Sequence, residues 1–87
     1  MKLIELMDIN ELQSRNVVLR VDYHAGTKNW NAYLTRVTVE HKPLLGVGLT
    51  PGAAMDSLCN RIRGLTLVID ENYSDSVTFQ IPMNLTV

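Results

Sequence analysis

The chain has 87 residues, 46% of them hydrophobic and 20% charged, with a formal net charge of −1. Such a composition makes one globular domain, able to bury about 60% of the surface its unfolded chain exposes. It argues against disorder and against a protein held to its partner by bulk charge, while the single cysteine excludes an internal disulfide or a cysteine-cluster metal site.

The first residues, Met1–Met7, are apolar, but Glu5 and Asp8 interrupt them and no small-residue cleavage site follows. No run is long enough to cross a membrane, so a soluble, cytoplasmic protein with no membrane partner is expected. Leu3, Ile4, Leu6, Met7, Ile9 and Leu12 approximate a helical stripe, which predicts a helix over residues 3–14. Asp8, three residues before Glu11, forms a capping-box pattern that would start the helix at Ile9 instead. From Val17 to His24 the chain alternates, with Val17, Leu19, Val21 and Tyr23 on one face, as in a half-buried strand. Residues 25–29 make a hairpin loop, and Trp30–Val39 a second strand. Its parity slips: Trp30, Ala32 and Leu34 share one face, Val37 and Val39 the other. A bulge near Thr35 or Arg36 would reconcile the halves.

After a turn at Glu40–Pro43, Leu44–Leu49 reads as a buried strand with two glycines, which implies close backbone approach. Thr50 is a helix cap and Pro51 sits at the first helical position, where its missing N–H costs nothing. Ala54, Leu58 and Ile62, flanked by Met55 and Cys59, form an apolar face, and Gly64 suits a left-handed closing residue. Leu65–Ile69 is a fourth strand, Asp70–Ser76 a polar turn, and Val77, Phe79 and Ile81 a last strand stopped by Pro82. The expected class is α+β in the order α-β-β-β-α-β-β: one domain over residues 1–87, an antiparallel sheet with helices on one face.

No constellation of catalytic residues stands out. His24 and His41 fall at strand ends or turns without a nucleophile at a recognisable spacing. Cys59, beside an apolar stripe, is better read as a small buried hydrophobe than as a nucleophile. Asp70, Glu71 and Asp75 lack the pattern of a calcium loop, and Gly46-x-Gly48 lacks the third glycine of a dinucleotide cradle. These features predict a protein that is not an enzyme and takes no cofactor or metal. Binding is the class that remains. Trp30, Tyr33, Arg20, Lys28 and Arg36 surround the first hairpin, and aromatics among bases serve as protein hot spots or stack nucleobases. Trp30 and Tyr33 fall on opposite faces, so one of them is expected to be a contact residue.

The α-β-β-β-α order over residues 8–64, with INEL in the first helix and GVGLTPGAAMDSL leading into the second, resembles the double-stranded RNA-binding domain. Gly46, Gly48, Thr50 and Ala54 match that family's glycines, serine and alanine. Its phosphate-gripping lysines are replaced by Pro51, Gly52 and Met55, so the resemblance implies the scaffold without the RNA grip. The strand-GxGxT-helix core is also similar to HicB-like antitoxin domains. The preferred expectation is a binding module acting on a protein partner, such as an inhibitor of the kind phages encode against host defence proteins. A nucleic-acid-binding or regulatory domain is the alternative. The edge-like last strand also allows pairing with a second copy.

Overall fold

In the computed structural model, which describes residues 1–87, the chain runs α1 (Leu3–Met7), α2 (Asn10–Gln13), β1 (Leu19–His24), β2 (Asn29–Leu34), β3 (Val37–Thr38), β4 (Gly46–Gly48), α3 (Pro51–Ile62), β5 (Thr66–Ile69) and β6 (Val77–Gln80). The α+β class is as expected, but the strands divide into two antiparallel sheets, ordered β1-β2-β4 and β3-β5-β6, rather than one. No helix is long and apolar enough to cross a membrane.

The element most fully specified by its local sequence is α3. The Thr50 side chain accepts a hydrogen bond from the Ala53 N–H at 3.0 Å, and Pro51 opens the helix. Ala54, Leu58, Cys59 and Ile62 are buried along one face, and Gly64 reverses the chain at φ +75°. The helix lies against β4 so closely that only glycine fits there. A Cβ at Gly48 would stand 2.5 Å from the Ala54 nitrogen, and one at Gly46 would stand 2.7 Å from the Leu58 Cα. Contacts that short are not made by real side chains, so the glycines set the helix–sheet distance.

The remaining differences from expectation are local. The helix over residues 3–14 is broken at Asp8–Ile9, where Ile9 is extended (φ −67°, ψ 127°). Asp8 closes α1 instead of capping α2, and the break turns Leu3, Leu6 and Leu12 all into the core. Val17 and Val18 precede β1, and only the two glycines and Val47 of the expected third strand form a ladder. The long second strand is two strands in different sheets. Arg36, at φ 65°, absorbs the parity slip by a left-handed turn of the backbone, not by a bulge, so that Leu34 and Val37 are both buried.

Fifteen apolar residues drawn from both sheets, the helices and the C-terminal segment form a single buried cluster, so the two sheets share one core. No charged or polar residue is buried within it. The last residues belong to this core as well: Leu85 is fully buried, and the Arg63 guanidinium donates from Nε and Nη2 to the Leu85 carbonyl at 2.8 and 2.6 Å.

Candidate functional site

In the first sheet α3 covers the face carrying Ala32, Leu34, Gly46 and Gly48, which leaves the other face without a helix. Register places Arg20 opposite Tyr33 and Asp22 opposite Asn31 there, with Val47 beyond Asn31. Asp22 draws the group together: Tyr33 Oη donates to its Oδ2 at 3.2 Å, and Arg20 Nε lies 3.9 Å from the same oxygen. Tyr33 is half-buried, its ring position fixed by this bond and by its neighbours.

Tyr33 also lines a cleft of about 500 Å³ at the corner where the chain passes from one sheet to the other. Arg36, Pro43, Asp70, Glu71 and Tyr73 stand in the same wall. Two residues in the left-handed region face each other at this corner, Arg36 at φ 65° and Asp70 at φ 53°. They are joined twice. The Asp70 N–H donates to the Arg36 carbonyl at 2.9 Å, and Arg36 Nη1 donates to Asp70 Oδ1 at 3.2 Å. The other Asp70 oxygen lies 3.8 Å from Arg15 Nη1, and Arg15 also donates to the Asp75 carbonyl at 2.7 Å. One carboxylate, its side chain only 12% exposed, is thereby shared between two guanidinium groups. Glu71 accepts from the Thr38 hydroxyl at 3.1 Å and meets His41 Nδ1 on its second oxygen.

The five residues expected from sequence do not form one patch. Arg20 and Tyr33 are neighbours on the open face, and Arg36 shares the cleft with Tyr33. Trp30 lies on the opposite face, half-buried against the core, its ring meeting Tyr23 edge-on at a centroid distance of 5.4 Å. Lys28 stands at the hairpin tip in a left-handed conformation (φ 57°). Asp22 and Tyr73 are site residues that the sequence reading does not single out, and Asp70 is considered there only as a calcium ligand. Alternation places Asp22 on the Arg20 face and so could have found it, whereas Asp70 and Tyr73 reach the cleft only through the pairing of β3 with β5. Asp70, Glu71 and Asp75, which cluster in sequence, do not converge on one point: Asp70 and Asp75 both turn to Arg15, and Glu71 turns to Thr38 and His41.

Burial raises the Cys59 thiol above its ordinary value of 9.0; the Arg63 charge opposes this and that of Asp56 adds to it. It faces the core on α3 and takes no part in the cleft.

Compared with known proteins, the chain matches no family model, and neither a curated protein nor a solved structure is significantly similar to it.

Proposed function

We propose that this protein is a non-enzymatic binding module that engages a protein partner through the open face of its first sheet and the adjoining cleft. The observation that carries this reading is Tyr33. It belongs to both surfaces, it is half-buried, and its hydroxyl is already held by Asp22. A tyrosine fixed before binding loses little entropy when a partner covers it, and Tyr and Arg supply most of the energy at protein interfaces. Arg36 beside it, with its side chain 48% exposed, is the second anchor.

The disposition of the other arginines favours a protein over a nucleic-acid partner. Arg15 is paired with Asp70 and Asp75 and Arg36 with Asp70, Arg20 lies beside Asp22, and Arg61 and Arg63 donate to the Leu45 and Leu85 carbonyls. Phosphate tracking needs free cations along one groove, and the lysine positions of the double-stranded RNA-binding domain are here Pro51, Gly52 and Met55. The partner class we favour is one whose activity the module blocks, as phage inhibitors block host defence proteins.

Affinity capture of the tagged protein from a lysate of its source cells, with and without nuclease, tests the reading. A stoichiometric protein that survives nuclease, and is lost with Tyr33→Ala, is the expected result. An eluate of RNA or DNA that disappears with nuclease, with binding that falls steeply with salt, would replace this proposal by the nucleic-acid alternative. With the partner in hand, Tyr33→Ala is expected to weaken binding by about 30-fold or more.

A further inference from the structure

The two edges of the first sheet are treated differently. At β4, the Val47 N–H donates to Ser57 Oγ at 3.2 Å and the Leu45 carbonyl accepts from Arg61 Nη1 at 3.0 Å, so side chains of α3 close that edge. Nothing closes the β1 edge. Thr35 N–H donates to the Val18 carbonyl, which fixes the parity of the β1–β2 ladder: Arg20, Asp22 and His24 bond to β2, and Leu19, Val21 and Tyr23 direct their N–H and C=O groups outward. No other strand pairs with β1, and a bare edge of six residues is a template for another strand.

The side chains on this edge carry a register. We infer that β1 is a self-association edge, on which two copies pair antiparallel about a two-fold axis at Val21, giving a continuous six-stranded sheet. In this register Val21 bonds to the partner's Val21, and Leu19 to the partner's Tyr23, so every outward main-chain group is satisfied. Arg20 then stands directly opposite the partner's Asp22, and Asp22 opposite the partner's Arg20. Four charges form a square of alternating sign on the open face, with the existing Arg20–Asp22 contact at 3.9 Å as one side of it. Moving the register by two residues sets Arg20 against the partner's Arg20, or Asp22 against the partner's Asp22. Moving it by one abandons the outward groups. Only the Val21-centred pairing joins all three outward residues, Leu19, Val21 and Tyr23, to one another and sets Arg20 opposite Asp22.

The inner face supports the same register. Helix α3 lies mainly over β4 and β2, so Leu19 and Val21 are only half-buried and Tyr23 is 53% exposed. Pairing places each Tyr23 beside the partner's Leu19 and covers both. The β6 edge is open too, but Val77–Gln80 carries no charge that would select a register. This inference is independent of the proposed target, because its test reads self-association alone.

Sedimentation over a range of concentrations is expected to show the wild-type mass rising from 9.8 kDa toward twice that value. Arg20→Asp and Asp22→Arg are each expected to weaken association by at least about tenfold, since each sets like charges across the axis. Mixed in equal amounts, these two variants regain opposite charges across the axis and form a heterodimer, visible by native mass spectrometry. Association of either variant as strong as wild type, or no heterodimer in the mixture, overturns the inference, as does a wild type that stays monomeric throughout. Amide exchange on the wild type gives a readout free of any substitution. Exchange at Leu19, Val21 and Tyr23 is expected to slow as concentration rises. A dimer whose formation leaves those three amides unchanged would be built elsewhere and would equally overturn it.

Discussion

At the seam between α3 and β4, two glycines let a helix backbone rest directly on a strand, with no room for a side chain between them. At the corner between β2 and β3, two residues in left-handed conformations are held by charge, with water in reach of Arg36. The seam is rigid because no space is left in it. The corner is held because Asp70 satisfies Arg36 and Arg15 together, and the cleft that Tyr33 and Tyr73 enter is open there. The molecule thus separates a region closed by backbone packing from one held by charge and left open.

The most severe way to break that division is to fill the seam. Gly48→Ala places a methyl group 2.5 Å from the backbone nitrogen of Ala54, an atom that cannot move without shifting the helix. Overpacking of this kind costs about 1–3 kcal/mol where side chains can adjust, and more is expected here because the obstacle is backbone. Urea unfolding should show a loss of roughly 3 kcal/mol or more for Gly48→Ala, and a similar loss for Gly46→Ala. Gly52 provides the contrast: it lies in the first turn of the same helix, and an added Cβ meets nothing within 4 Å. Gly52→Ala should stabilise by about 0.5–1 kcal/mol. Equal behaviour of Gly52→Ala and Gly48→Ala would mean that the close approach does not set the packing.

The corner should be softer. Asp70→Asn keeps the size and suits a left-handed backbone, but it removes the charge that two guanidinium groups share. A cost of about 1–2 kcal/mol is expected, since hydrogen bonds to charged groups are worth that much and solvent screens part of it. Arg36→Gly should be nearly neutral, because relief of the left-handed strain, about 1 kcal/mol, offsets the lost ion pair. Raising the salt concentration should shrink the Asp70→Asn effect and leave the Gly48→Ala effect intact. A salt-insensitive corner would show that its backbone hydrogen bond, not its charge, holds it.

The same contrast explains what can be read from the sequence. Thr50, Pro51, the Ala54–Leu58–Ile62 stripe and Gly64 are local signals that all specify α3, and the pair Gly46 and Gly48 is itself a signal of close approach. The hairpin of β1 and β2 is legible from alternation, which also sets Tyr33 and Trp30 on opposite faces. The division into two sheets is not. It depends on one residue, Arg36, adopting a conformation that its side chain does not favour, and on Asp70 meeting it from 34 residues away. A parity slip marks the place but does not choose between a bulge and a change of sheet. The break at Asp8–Ile9 is hidden for the reverse reason: a local capping pattern exists, but burial of Leu6 and Leu12 decides the geometry.

The last expected effect depends on pH and concerns Cys59, which is fully buried on α3 and tests how dry the core beneath that helix is. Burial favours the neutral thiol and raises its titration above the ordinary 9.0. The unfolded chain therefore loses this proton at lower pH than the folded protein, and above the ordinary value it binds fewer protons. The contribution is fully present below about pH 9 and is lost as pH rises through the folded value. Cys59→Ala removes this slope at the cost of a small cavity, about 1 kcal/mol, that is the same at every pH. Thermal midpoints of the two proteins should thus differ by a constant amount from about pH 6 to 8 and converge above about pH 9. Comparing the pair cancels the tyrosines and lysines that titrate in the same range. If the two curves stay parallel to about pH 10.5, water reaches the thiol in the folded state, and the core beneath α3 is less tightly closed than the burial of Cys59 implies.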